Sequence, residues 1–184
     1  MTQNAGTGHS VLLVVKVRGS DTVASVSGLG ATWSKINSIQ RNVAAFFQEM
    51  WIGTSTAGGT KAITVTMTGG SQYSAWAQEY DLIASAASGG TAKASSGSPT
   101  LTVSGLADGE MLIAAATCSA VLTAPSAPWI LASGNGGDVG VVYQLTRSAS
   151  NQTATWTSSS AQWGASAAIL TPATATSEPL VMVI

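Results

Sequence analysis

From residue 61 to 68 the chain reads KAITVTMT, with Ile63, Val65 and Met67 alternating against Thr64, Thr66 and Thr68. A period of two puts the apolar side chains on one face of a sheet and the hydroxyls on the other, the pattern of a half-buried strand. Ala57-Gly58-Gly59 precedes it and Gly69-Gly70 follows. Glycine takes positive φ at no steric cost, so a hairpin is predicted at each end. The segment before, NVAAFFQEMWIG over residues 42–53, carries bulky residues of both parities: Phe46, Met50 and Ile52 on one face, Phe47, Glu49 and Trp51 on the other. Such a strand is either central with both faces covered or has one face against another subunit. Residues 42–83 thus read as a three-strand meander around which the rest of the chain closes.

Elsewhere the same signals recur at short intervals. Ser10 to Arg18 (SVLLVVKVR) is apolar on both parities in its first half, after a polar start; Thr22 to Val26 and Thr32 to Ile39 are shorter candidates. Residues 84–99, ASAASGGTAKASSGSP, have no apolar period and read as a long surface loop. Leu101 to Leu106, Glu110 to Cys118, Val139 to Thr146, Gln152 to Ser158 and Trp163 to Thr171 read as further strands. A second long loop before Val139 holds Pro125, Pro128 and Trp129. No segment combines a helical period with caps, and no repeat of fixed period is visible. Nine or ten short strands predict an all-β fold, an antiparallel, jelly-roll-like β-sandwich with little helix, as a single domain over residues 1–173. Residues 174–184 read as a linker and an apolar tail, Leu180, Val181, Met182, Val183 and Ile184. That tail either forms a last strand in its own domain or docks on a partner chain by strand addition.

Composition narrows the function. Charged residues are only 8% of the 184, against roughly 25% in an ordinary soluble protein, and the net charge is −1. Nucleic acid or an anionic membrane would require clustered Lys and Arg, whereas the basic residues here are scattered from Lys16 to Arg147. Mean hydropathy is +0.29, but Val11 to Val15 and Met111 to Ala116 are far short of the ~20 residues of a membrane span. The opening MTQNAGTGHS lacks the basic and apolar segments of a secretory signal, so the expected compartment is the cytoplasm.

Candidate chemistry is sparse. His9 is the one histidine and Cys118 the one cysteine, so no soft-metal ligand set exists, and no GxSxG elbow accompanies a serine nucleophile. Glu49 and Glu79 are the one carboxylate pair worth weighing as acid and base for glycoside hydrolysis; local hydrogen bonding or ion pairing is the simpler role for each. Asp108 and Asp138 lie in turn sequences without calcium-loop spacing, and the glycines form no phosphate-binding pattern. Cys118 reads as a small buried hydrophobe more readily than as a reactive thiol. No catalytic residue, metal or cofactor is expected. Among six tryptophans, Trp33, Trp51, Trp76 and Trp156 fall in strand patterns and read as core. Trp129 and Trp163 are the two expected to be exposed, and they are the candidates for stacking on a sugar.

FFQEMWIG, AGGTKAITVTMTG, YSAWAQEYDLI and the later ADGEMLIAAAT resemble a β-sandwich domain that recurs in bacteriophage virion proteins and some bacterial surface proteins. The likeness runs from His9 to Pro172. That family has no shared catalytic residues, so none are carried over. The resemblance implies a virion component assembled in the host cytoplasm, most simply a capsid decoration protein. Its implied partners are a major capsid protein, or another virion protein, and copies of itself, with no nucleic acid and no membrane. A carbohydrate-binding module of a tail or head fibre, using Trp129 and Trp163, is the alternative.

Overall fold

The computed structural model describes residues 1–40, 46–118, 121–123, 127–133, 139–145, 150–158 and 162–173. The tail from Leu180 to Ile184 and Asp138 lie outside the described residues.

The first part of the chain supplies β1 (Thr2–Thr7), β2 (Ser10–Arg18), β3 (Val23–Gly28), β4 (Thr32–Gln40), β5 (Phe46–Thr54), β6 (Ala57–Met67) and β7 (Gln72–Tyr80). They form two antiparallel sheets, ordered β1-β6-β3 and β4-β5-β2-β7. Alternation decides what lies between them. Val11, Leu13, Val15 and Val17 of β2 and Trp51 of β5 face Val23, Val26, Leu29 and Ile63, closing one dry core. Trp33 packs across Gly53, where an added Cβ would come within 2.7 Å of the indole.

The second part supplies β8 (Ile83–Ala94), β9 (Thr100–Val103), β10 (Met111–Cys118), β11 (Leu122–Thr123), β12 (Ile130–Ser133), β13 (Val139–Leu145), β14 (Gln152–Thr155), β15 (Thr157–Ser158) and β16 (Trp163–Pro172). Its large sheet runs β12-β13-β10-β16-β8, and the pairs β14-β9 and β11-β15 cover one face of it. Between them Leu112, Ala114, Ala116, Leu122, Trp129, Trp156, Trp163 and Ala165 make a second core.

The two parts have the same plan. If β14 and β15 are taken as one strand interrupted at Trp156, then β9, β14/β15 and β11 correspond to β1, β6 and β3. The order β12-β13-β10-β16 corresponds to β4-β5-β2-β7, and β8 is an added edge. Ala31-Thr32-Trp33 entering β4 even has a counterpart in Ala127-Pro128-Trp129 entering β12. The chain is a tandem pair of antiparallel β-sandwiches, the first dividing its strands three and four and the second three and five with β8 added, rather than into the two four-stranded sheets of a jelly roll.

The sandwiches are stacked on their four-stranded faces. Leu12 and Val14 of β2, with Met50 and Ile52 of β5, pack against Ile113 and Ala115 of β10 and Ala168 and Leu170 of β16, all fully buried or nearly so. Gln48 crosses this third core to donate to Ala115 O at 3.1 Å and Ser166 Oγ at 2.7 Å. Asn37 of β4 donates to Ala167 O of β16 at 2.7 Å, while Leu131 and Ala132 of β12 line a cleft with Gln78 and Tyr80 of β7. Each unit thus presents its β4-type edge to the other's β7-type strand, the reciprocity of an isologous interface.

Several expectations change accordingly. β5, β6 and β7 are not a meander: β5 and β7 both pair with β2, and β6 crosses to the other sheet. Ala57-Gly58-Gly59 is not a turn but the start of β6, paired with Thr7 and Ala5 of β1, so the polar N-terminus is a strand. The supposed loop after residue 83 is largely β8, laddered to β16 from Ile83 to Ala94. An edge strand held by backbone hydrogen bonds needs no apolar period, which is why small residues conceal it. The two-faced β5 is central, and its second face is covered by the chain's own second sandwich. No helix occurs among the described residues.

Candidate functional site

Along β2 one face changes character. Leu12 and Val14 enter the inter-sandwich core, and the next residues of that parity are Lys16 and Arg18. Arg18 stands opposite Phe46 on β5 and Gln72 on β7, and Lys16 opposite Ser74. Since these positions share a face, they converge beyond the apolar contact into a cleft of about 230 Å3 lined by Lys16, Arg18, Phe46, Gln72, Tyr73 and Ser74. The Phe46 ring lies under both cations, its centroid 5.0 Å from Lys16 Nζ and 6.0 Å from Arg18 Cζ. Lys16 is buried, Arg18 is exposed and Tyr73 is 48% exposed. Of the two cations Arg18 reaches solvent while the Lys16 Nζ is buried, and Tyr73, paired with Val17, projects from the other face of the sheet, so the recess offers a guanidinium beside the Gln72 amide and the Ser74 hydroxyl.

His9 forms a second polar cluster at the turn between β1 and β2. Its Nδ1 is 2.5 Å from Glu79 Oε1 and its Nε2 3.2 Å from Asp81 Oδ1. The Gly6 N–H donates to the same Glu79 oxygen at 2.6 Å, and the Thr56 hydroxyl donates to Gly6 O. The two carboxylates hold opposite edges of the imidazole, so the three groups cannot converge on one ion. The arrangement ties β1 to β7. The backbone hydrogen bond from Gly6 lowers the Glu79 pKa most; partial burial opposes it, and the His9 hydrogen bond and charge add to the lowering. The folded chain therefore holds this proton less tightly than the unfolded chain, and protonation favours unfolding. The contribution is complete above the ordinary glutamate range and lost as pH falls through the lowered folded value. Thermal melts from about pH 6 to 3 should show a shallower decline for Glu79→Gln than for wild type; parallel curves would remove Glu79 from the acid response.

Glu49 and Glu79 are not brought together. They stand against Val15 and Val11, on strands separated by β2. Glu49 is fully buried and ion-paired with Lys35 Nζ at 2.9 Å. Trp129 and Trp163, expected at the surface, are 9% and 7% exposed. Their indole N–H groups donate to Thr153 O at 3.0 Å and Ser96 O at 3.2 Å. Both rings belong to the second sandwich core, with their faces closed to a sugar. Cys118 is buried, its Sγ 3.1 Å from Ser158 Oγ. Asp108 lies in the turn in which Glu110 Oε2 accepts from Ala107 N at 2.7 Å. No group of three metal-ligating side chains occurs among the described residues.

The cleft residues were overlooked because Lys16 and Arg18 read as scattered charges. The signal was their shared parity with Leu12 and Val14: a strand face that turns from aliphatic to cationic leaves a core and enters a site. Compared with protein-family models, curated proteins and solved structures, the chain matches none.

Proposed function

We propose that this chain is a structural protein of a phage particle, a decoration protein seated on the shell beside copies of itself and attached to a major capsid protein or another virion protein. The supporting observation is the exterior. Only 8% of residues are Asp, Glu, Lys or Arg, and among those few Glu79 and Asp81 are engaged with His9, and Lys35 with Glu49. Contact with a shell then desolvates few ions, a step that is costly wherever a charge loses its water without gaining a partner. The added edge strand β8 contributes to the same reading, since it is exposed for most of its length and carries one charge, Lys93. A bulge at Gly89 interrupts it, but shortness, prolines and dense charge, the other usual protections against strand addition, are missing from it.

Attachment through the apolar residues Leu180 to Ile184 is testable apart from the fold. Deleting them should lower occupancy on purified particles at least tenfold while leaving the melting temperature within about 2 °C. Unchanged occupancy would remove the tail from the attachment. If neither the full chain nor the truncated chain co-sediments with particles, the decoration reading is wrong.

A further inference from the structure

We propose that the outer edge of β7 is a docking site for this chain's own residues 173–184, which add to it as an antiparallel strand, so that each sandwich gives its last strand to the other. The inference concerns the free chain and does not rest on the particle reading. The plan of the two units carries it. β7 ends beside the start of β2, with Tyr80 opposite Ser10, just as β16 nears its end beside the start of β10, with Leu170 opposite Met111. After β7 the chain turns at Asp81 and Leu82 and leaves its own sheet, and β8 adds to the outer edge of β16 in the other sandwich. There it also meets β4, where Asn37 Nδ2 donates to Ser88 Oγ at 3.4 Å. The chain after β16 sets out from the equivalent place: Ala173 N donates to Leu82 O at 2.5 Å, so the two exits meet. The same crossing in the opposite direction leads to the outer edge of β7, on the side of β12. Among the described residues β7 pairs with β2 alone.

Space and chemistry agree with that path. Between β7 and β12 a cleft of about 360 Å3 is lined by Gln78, Glu79, Tyr80, Met111, Leu131 and Ala132. It is the counterpart of the ground that β8 takes beside β4. Farther along β7, Tyr73 is 48% exposed and Ala75 and Ala77 lie half-buried at the margin of the first core. Residues 173–184 match β8 in length. Run antiparallel to β7 from Leu82, their first half passes the cleft and Leu180 to Ile184 arrive over the stretch from Gln72 to Gln78, where one parity covers Tyr73, Ala75 and Ala77. Val181, Val183 and Ile184 favour an extended backbone, and Pro179 is tolerated because an outermost strand leaves alternate amides unpaired. Tethering holds the segment at an effective concentration of the order of millimolar, which favours its own β7 over that of a second copy. On a particle the same residues would have to leave β7, so cis pairing and attachment exclude each other, and either can fail while the other stands.

Ordering the strand offsets most of what its burial contributes, so the test reads position rather than melting temperature. In the uniformly labelled full chain, NOEs should connect Leu180–Ile184 with Gln72–Gln78, and they should be absent from the isotope-filtered spectrum of a labelled and unlabelled mixture. The β7 amides that point away from β2 should exchange at least tenfold more slowly than in Val181→Pro/Met182→Pro, which removes the ladder donor in either register. Unaltered exchange in β2 and β5 shows that the variant keeps its sandwiches. Absence of these NOEs in wild type, or equal β7 exchange in wild type and variant, would overturn the proposal. NOEs that appear in the filtered spectrum would overturn it too, since a second copy would then supply the strand.

Discussion

Leu12→Ala is expected to lower the unfolding free energy by about 2–5 kcal/mol, the range for a large-to-small change in a core that cannot collapse. The single unfolding transition should remain. Leu12 is completely buried, and what buries it is the second sandwich: Ile113 and Ala115 of β10 and Ala168 and Leu170 of β16 share its cluster. Its strand neighbours Val11 and Leu13 point the other way, into the core of the first sandwich. A cavity at Leu12 therefore lies between the two sandwiches, on the face of β2 turned away from the first core. Ile113→Ala, at the corresponding place in the other unit, should cost a similar amount. Urea unfolding of the two variants checks both expectations. If the face of β2 containing Leu12 were open to solvent, the change would fall within about 0.5 kcal/mol, as for ordinary surface positions.

The second large effect is expected at Lys35. Glu49 is fully buried inside the first sandwich, where Oε2 accepts from the Trp51 indole N–H at 2.9 Å and Oε1 from Val23 N at 3.3 Å. Lys35 supplies the opposite charge 2.9 Å away, with its Nζ also 5.0 Å from the Trp51 ring centroid. Lys35→Met keeps the stem and removes the charge, leaving a buried carboxylate with two neutral donors. Breaking a buried pair from one side costs roughly 3–5 kcal/mol; because the lysine is partly exposed, water can approach and the lower end, about 3 kcal/mol, is expected. Adding Glu49→Gln should recover part of that loss, because the orphaned charge disappears. A double-mutant cycle in urea measures the difference. Equal stability of Lys35→Met and wild type would show that the pair is not buried.

What was legible in the chain was strand identity wherever one face is buried and the other wet. Ile63, Val65 and Met67 mark β6, and Ser10 to Arg18 coincides with β2, because alternation is imposed by burial. Pairing was not legible. β5 and β7 share a partner, β2, that lies far before them in sequence, and adjacent strands separated by glycines look like hairpins whether or not they pair. The shared plan leaves no fixed period in the sequence. Ser10 corresponds to Met111 but Gln72 to Trp163, so the spacing contracts along the chain and no fixed period survives. β8 and β1 were missed because backbone ladders, not apolar side chains, hold them. At the candidate site, Lys16 and Arg18 needed only their parity to be noticed, whereas Phe46, Gln72 and Ser74 join them solely through the register of three strands. Trp129 and Trp163 misled because a proline-rich loop and a strand end look exposed in sequence, while the chain closes over both.

The doubly apolar β5 at first suggests a partner subunit. In the structure its partner is the chain's own second sandwich, and this cis stacking underlies the rest of the account. Isotope-filtered NOE spectroscopy on a mixture of 13C-methyl-labelled and unlabelled protein tests it most directly. Contacts from Leu12 and Val14 to Ile113 and Leu170 should appear as intramolecular NOEs in the uniformly labelled protein and be absent from the filtered spectrum of the mixture. Their presence in the filtered spectrum would mean that the two sandwiches meet between molecules, and would contradict the account.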